Sequence, residues 1–317
     1  MENTPLVSVL IPAYNHEKYV QEAINSIISQ TYKDIELLIV DDGSKDDTWT
    51  KICAMKEVCE KRFVRIDFST QDNCGTCKTL NKLVDKAQGK YIYLIASDDL
   101  AKLHAIKIQS DFLENNPQYA QVMGDNEIID GDSKRVFWDR KQKIVGEENA
   151  QFKTFSQFLF GGRKDVYFNS SDFGSYETLL KGNYIPNGNM WLREAFISIG
   201  QLTTEAPIED WYINLQISKQ YKIKYIDEIL FSYRWHSANT AKDKQKMSRL
   251  IKQTINYELF LIRNDEKKLL FINNFVLYRK TSFLFFKVEK YRNMLQKKKY
   301  IVIFNKKFLI QTEEIYK

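Results

Sequence analysis

The sequence predicts an α/β protein built on a mainly parallel sheet, and three observations carry that expectation. Short apolar, largely β-branched runs alternate with stretches of helical apolar spacing through the first 130 residues. The connecting stretches run to about a dozen residues, enough for the crossover helices that parallel strands require. Polar, turn-forming clusters follow each of the first four apolar runs, at the strand ends where such sheets bind ligands.

Taken in order, Val7–Ile11 is the first strand, and Glu17–Gln30 is a helix with Val20, Ala23, Ile24, Ile27 and Ile28 at helical spacing. Ile35–Val40 is a second buried strand and Thr48–Val58 a helix. Val64–Phe68 is the third strand, Thr76–Ala87 the third helix and Tyr91–Ala96 the fourth strand. Leu103–Glu114 reads as a helix that stops before Asn116-Pro117, because a residue preceding proline is pushed out of the α region. Between Gly131 and Gly174 the periodicity weakens, charges accumulate and Gly161-Gly162 intervenes, the pattern of an insertion or mobile lid. Order returns at Tyr176–Leu180, Met190–Ile197 and Ile208–Ser218, then in two strand-like runs, Ile223–Ile226 and Ile229–Arg234. Beyond Ala241 the chain reads as helical, basic and aromatic. The expected organisation is a body over 1–240, divided near residue 130, followed by a basic helical extension over 241–317.

Composition excludes several classes. With 44% hydrophobic and 28% charged residues the chain is no disordered tail. It has no uninterrupted apolar run of about 18 residues, so a spanning helix is not expected. The N-terminus lacks a basic stretch and the run Leu6–Ile11 is cut by Pro12, which argues against a secretory signal. Cys74-Gly75-Thr76-Cys77 is formally a C-x-x-C, yet no second Cys or His pair stands at zinc spacing, and His16, His104 and His236 are scattered. Ordinary reduced thiols, and a cytoplasmic location, are the expectation. Charge is unevenly divided: residues 241–317 carry a net +12, whereas the first 240 carry −6. A basic, aromatic tail on an acidic body suggests an anionic partner, either membrane phospholipid or nucleic acid, or else a solvated lysine-rich surface. The acidity of the body disfavours nucleic acid.

Four clusters could carry chemistry. Ser97-Asp98-Asp99 places two carboxylates side by side at a strand end, where their repulsion calls for a cation or hydrogen bonds. A hard divalent ion held with substrate phosphates is one solution, and helix capping by Asp99 is the other. Asp41-Asp42-Gly43-Ser44 is either a tight turn or a turn whose leading acids meet a base or ribose. Glu209-Asp210 opens a predicted helix, as macrodipole partners or as a general base. Tyr233-Arg234-Trp235-His236 ends the last strand, where Arg and His could neutralise a departing diphosphate.

Taken together, Ser8-Val9-Leu10-Ile11-Pro12-Ala13-Tyr14-Asn15, Ile39–Thr48, Asn73-Cys74-Gly75 with Asn81, Ser97-Asp98-Asp99, Glu209-Asp210-Trp211 and Tyr233–His236 with Asn239 resemble the family-two glycosyltransferases, in order and spacing, over roughly residues 6–240. The resemblance implies a GT-A fold, a nucleotide-diphospho-sugar donor (a UDP-sugar), a divalent metal (Mn²⁺ or Mg²⁺) and inversion at the anomeric carbon. It implies that Pro12, Ala13, Tyr14, Asn15 and Asp42 surround the base and ribose, with Asn73 and Lys78 as further donor contacts. Ser97 and Asp98 belong at the donor, and Asp99, with Asp98, at the metal. Asp210 matches the catalytic base, with Glu209 positioning it or touching the acceptor, and Arg234 and His236 fall near the diphosphate.

Two departures matter. The metal motif commonly begins with an acid where this chain has Ala96. The processive members carry Gln-x-x-Arg-Trp and membrane helices, whereas here Phe231 takes the Gln place, so a single transfer is expected. The acceptor implied is a glycan or lipid-linked molecule of bacterial surface polysaccharide, lipooligosaccharide or glycoprotein synthesis. Lys297-Lys298-Lys299, Tyr300–Phe304 and Asn305-Lys306-Lys307 suggest peripheral contact with anionic membrane on the cytoplasmic face. The competing reading is an inactive nucleotide-sugar-binding or interaction subunit, which only Ala96 favours.

Overall fold

The structure, a computed structural model, describes residues 4–161, 172–263, Ser170, Asp265 and four strands between 276 and 314. The first half repeats strand and helix: β1 (Val7–Ala13), α1 (Val20–Ile28), β2 (Ile35–Asp41), α2 (Thr48–Ala54), α3 (Lys56–Arg62), β3 (Arg65–Thr70), α4 (Thr76–Lys86) and β4 (Tyr91–Leu94). Next come β5 (Leu100–Ala101), α5 (Ala105–Asn115), β6 (Tyr119–Ile129), β7 (Arg135–Trp138), β8 (Ile144–Val145) and α6 (Phe155–Phe160). The body closes with α7 (Tyr176–Leu179), β9 (Met190–Leu192), α8 (Arg193–Ser198), α9 (Glu209–Ser218) and β10 (Lys222–Arg234).

The main sheet runs in the order β3-β2-β1-β4-β9-β6-β10-β5. β1 to β4 are mutually parallel, whereas β9 is antiparallel to both β4 and β6, and β10 is parallel to β6. Two reversals cancel, so β6 and β10 point the same way as β1 to β4. The carboxyl ends of six strands therefore share one rim, and the loops that leave it can converge. The alternating side chains of β1 explain the sandwich: Val7, Val9 and Ile11 pack with Val20, Ile24 and Ile27 of α1, while Leu10 packs with Leu80 and Leu83 of α4. Each such aliphatic side chain, withdrawn from water, stabilises the fold by about 1.5–3 kcal/mol.

Three expectations are corrected. The runs 223–226 and 229–234 are one long strand, β10, with register shifts against β6 on either side of Ile229. Its partner β6, central in the sheet, is concealed in sequence by the polar run Gly124-Asp125-Asn126-Glu127, of which Asp125 and Asn126 are nonetheless buried. The described part of the 131–174 stretch is not a loose lid. β7 and β8 form a hairpin on β6, closed by Trp138, Trp235, Phe155 and Phe158, with the two indole rings 4.8 Å apart. Residues 162–169 and 171 of that stretch lie outside the described residues.

The third correction concerns the extension. It opens with a helix, α10 (Lys244–Leu261), but continues as a four-stranded antiparallel sheet: β11 (Val276–Ser282), β12 (Lys287–Arg292), β13 (Gln296–Ile303) and β14 (Lys306–Glu314). The β-branched run Ile301-Val302-Ile303 and the absence of a helical apolar stripe favour strands there. Residues 266–275 of the extension lie outside the described residues. Among the described residues no helix is long and apolar enough to cross a membrane. All four cysteines are free thiols.

Candidate active site

The four predicted clusters do meet on the rim. The loop after β1 is laced to the turn after β2: Asp42 N–H donates to the Ala13 carbonyl at 2.8 Å, Lys45 N–H to Asn15 Oδ1 at 2.8 Å, and Asn15 N–H to Ser44 Oγ at 2.9 Å. Asn15 sits at φ 52°, a conformation asparagine tolerates better than most residues. Pro12 and Ala13 form the inner wall of this loop and Tyr14 its tip, with the ring 44% exposed. Gly43, at φ +71°, is required, since a Cβ there would lie 2.8 Å from Asn73 N.

Asp42 is the keystone of the turn. Its Oδ1 accepts from Gln71 Nε2 and Cys74 N–H, each at 2.9 Å, and its Oδ2 accepts from Gly75 N–H at 2.8 Å. Burial alone would raise this carboxyl, but the donors outweigh it and hold Asp42 below the usual carboxylate range. Asp42 thereby fixes the entry to α4, with Asn73 and Lys78 exposed on either side.

The adjacent acids Asp98 and Asp99 point to different surroundings. Asp99 faces inward: its Oδ1 accepts from Arg234 N–H at 2.8 Å and its Oδ2 from Asn187 Nδ2 at 3.4 Å. Burial, reinforced by the charge of Asp98, pushes Asp99 well above its ordinary value. Asp98 faces two imidazoles. Its Oδ2 lies 2.9 Å from His236 Nε2 and 3.7 Å from His16 Nε2. Burial opposes its ionisation, but the His236 hydrogen bond and the fields of both histidines prevail and lower it. Ser97 Oγ, buried, holds His16 Nδ1 at 2.8 Å, leaving Nε2 turned toward Asp98.

The ligand atoms of His16, Asp98 and His236 lie within 4.8 Å of one another. Two imidazole nitrogens and one carboxylate oxygen, with the His16 ring oriented by the Ser97 hydroxyl, fit a divalent cation. Asp99, the other acid expected at the metal, has each oxygen hydrogen-bonded, one to β10 and one to the loop before β9. His16 was missed because it is remote from Asp98 in sequence, although it directly follows the Pro12–Asn15 loop.

Arg234, expected near the diphosphate, lies inward of the turn that carries Asp98. It is fully buried, donating from Nε to the Asp98 carbonyl at 2.6 Å, from Nη1 to Ser133 Oγ at 2.8 Å and from Nη2 to Glu22 Oε2 at 2.7 Å. Its guanidinium lies over Tyr19, 4.7 Å from the ring centroid. These bonds tie Arg234 to the turn that carries Asp98.

Glu209 and Asp210 open α9. Asp210 Oδ2 accepts from Asn183 Nδ2 at 2.8 Å, and Oδ1 from Trp211 N–H at 2.7 Å. Withdrawal from water raises both carboxyls; for Glu209 the charge of Asp210 adds to it, pushing it up to about 7. The loop 183–189 joins the two acid pairs, with Asn183 on Asp210 and Asn187 on Asp99. Gly188 lets it pass, since a Cβ there would lie 2.4 Å from the Phe231 ring. The charges of Asp99, Asp98 and Asp210 all act on Tyr233, whose hydroxyl burial already holds protonated.

Comparison with known proteins agrees with this fold. The sequence profile described as "Glycosyl transferase family 2" matches residues 8–172. An uncharacterised glycosyltransferase of Haemophilus influenzae is 29% identical over 276 residues, covering 84% of this chain and 78% of that protein. One from Rickettsia bellii is 32% identical over 142 residues, and the match covers only 20% of its length. Among solved structures, the mannosyltransferase PcManGT from Pyrobaculum calidifontis, in complex with GDP-Man and Mn²⁺, superposes with a TM-score of 0.58 at 15% identity, over 82% of this chain and 65% of that one. S. aureus TarS 1-349 in complex with UDP-GlcNAc gives 0.55 at 15% identity, over 83% and 75%.

Proposed function

The chain belongs to glycosyl transferase family 2 and is a glycosyltransferase with the GT-A fold, and from that premise we propose that it transfers one sugar, with inversion, from a nucleotide-diphosphate sugar to an acceptor hydroxyl. The observation that carries this reading is the division of labour between two acid pairs joined by one loop. Asp98 of one pair meets two imidazoles, and both carboxyls of the other are raised by withdrawal from water.

In the proposed reaction Asp210 takes the proton of the acceptor hydroxyl, whose oxygen attacks the anomeric carbon opposite the diphosphate. The new carbon–oxygen bond forms as the sugar–phosphate bond breaks, and the nucleotide diphosphate departs with the bonding pair. Glu209, neutral below about pH 7, can donate a hydrogen bond to the acceptor without repelling the base. Asp98, His16 and His236 would hold a divalent cation, which supplies positive charge to the leaving diphosphate. Two imidazoles favour Mn²⁺ over Mg²⁺, and they make up for the acid missing at Ala96. Asp99 and Arg234 keep the Asp98 turn in place. Tyr14, with Pro12, Ala13 and Asn15, is suited to stack on the base, and Asn73, Lys78 and Ser97 to line the donor; Asp42 shapes that floor.

The donors bound by the mannosyltransferase and TarS support a nucleotide sugar here, and we take a UDP-sugar as the first candidate. The acceptor in this reading is a glycan or lipid-linked molecule of bacterial surface-glycan assembly. The +12 tail suits an anionic inner membrane face. Replacing Lys297, Lys298 and Lys299 by Glu should abolish cosedimentation with phosphatidylglycerol vesicles, and unchanged binding would remove the membrane from the reading.

The test of function is release of nucleotide diphosphate from a panel of UDP- and GDP-sugars, with Mn²⁺, with Mg²⁺ and with chelator. Metal-dependent release from one or two donors is expected. Silence across the panel, with no thermal shift from any nucleotide diphosphate, would support an inactive binding subunit instead.

A further inference from the structure

Asp210 ends a file of amide side chains that runs back into the sheet. Asn183 Nδ2 donates to Asp210 Oδ2 at 2.8 Å, and Asn183 Oδ1 accepts from Asn214 Nδ2 at 3.1 Å. Asn214 Oδ1 accepts from Gln121 Nε2 at 2.7 Å, and the same Nε2 donates to Asn189 Oδ1 at 2.8 Å. Asn189 in turn donates to the Pro186 carbonyl at 2.8 Å. Asn214 is one turn along α9 from Asp210, Gln121 lies on β6, and Asn183 and Asn189 bracket the loop between α7 and β9. Gln121, Asn189 and Asn214 are buried.

The polarity of this file is dictated from its end. An ionised carboxylate can only accept, so Asn183 must present its NH₂ to Asp210 and its carbonyl to Asn214. Asn214 must then present its carbonyl to Gln121, whose NH₂ serves both Asn214 and Asn189. The consequence is visible at the far end: Gln121 Oε1 is buried without a hydrogen-bond partner. A buried orphan carbonyl is costly, and turning the Gln121 amide would set carbonyl against carbonyl at two contacts. The orphan is the cost of holding every amide in the orientation that serves the acid.

We propose that Gln121, Asn214 and Asn183 form a polarised relay that orients the Asp210 carboxylate, making Asn183 and Asn214 positioning residues of the transfer reaction. The proposal rests on the reading of Asp210 as base. Asn183 and Trp211 N–H each occupy one Asp210 oxygen, which fixes the carboxylate plane and leaves its remaining lone pairs for the acceptor proton. The charged or titratable groups that face Asp210 are Glu209 on its own helix and Tyr233 on β10. The hydrogen bond from Asn183 favours the ionised form, so its removal moves the Asp210 titration to higher pH.

The test combines a donor-free readout with kinetics. In protein carrying ¹³C-labelled aspartate, the Asp210 carboxyl is assigned by its loss in Asp210→Asn and followed with pH. Asn183→Ala should move that titration upward and lower kcat about tenfold, while KM for the nucleotide sugar identified by the panel stays unchanged. Asn214→Leu should act in the same direction, and Asn183→Ser, which keeps a donor, should recover part of both effects. If Asn183→Ala fails to fold, Asn183→Ser and Asn214→Leu carry the comparison. Wild-type titration and kcat in these variants would overturn the relay, and with Asp210→Asn inactive the base assignment would stand. Full activity of Asp210→Asn would instead overturn the base assignment, whatever the relay variants show.

Discussion

The Asp98–Asp99 turn and the Glu209–Asp210 helix start are both pairs of adjacent acids on the same rim, yet their surroundings drive them to opposite ends of chemistry. At the first, two histidines face Asp98 and lower it, while Asp99 is turned inward and raised. At the second, amide N–H groups are the main partners, withdrawal from water dominates, and both acids are raised. In the proposed reaction the first site would hold a cation and the second would take up a proton. The difference lies in what the neighbouring loops deliver, His16 and His236 to one pair and Asn183 to the other. Carboxylates alone do not assign roles; their environments do.

The largest expected effect breaks the second pair. Asp210→Asn should lower the transfer rate at least ~10²-fold, as usual for removal of a general base, with the Mn²⁺ concentration dependence unchanged. The next breaks the first pair: His236→Ala or His16→Ala should weaken apparent Mn²⁺ affinity by roughly 10–100-fold, read by titrating the metal against activity and against thermal stability. If neither variant alters metal dependence, the cation is held elsewhere.

A subtler outcome concerns Glu209. Its folded-state pKa, up from 4.5 to about 7, means that ionising it costs folding energy. That penalty is absent below the unfolded value and grows as pH rises toward 7. Glu209→Gln should therefore raise stability at pH 8 by about 1–2 kcal/mol after allowance for partial exposure, a gain that shrinks toward pH 5. Thermal melts at the two pH values check it; an equal shift at both would locate the effect outside this titration. Tyr14→Ala touches neither pair and should raise the donor KM only about fivefold, the scale of one lost stacking contact, with kcat kept.

Much of the first 130 residues was legible beforehand. Val7–Ile11, Ile35–Val40 and Tyr91–Ala96 are apolar because both faces of those strands are covered, so periodicity and composition find them directly. Their polar ends follow one after another in the chain, and the rim could be inferred from strand direction alone. β6 escaped because its middle is polar: Asp125 and Asn126 are buried, and Asp125 accepts backbone hydrogen bonds that override apolar patterning. The tail misled because lysine suits helix and strand surfaces alike, and only the β-branched run near Ile301 signalled strands.

By itself the sequence determined the fold class, the shared rim and the identity of the two acid pairs, since these depend on local spacing along consecutive elements. Only the tertiary structure decided which acid of each pair faces what. His16 and His236 are 220 residues apart in number and their rings come within 5.9 Å because β1 and β10 end on one rim. Arg234 was brought under the Asp98 turn, and Asn183 onto Asp210, by packing between distant segments. Side-chain direction at a strand end is set by neighbours from other strands, and no linear pattern records them.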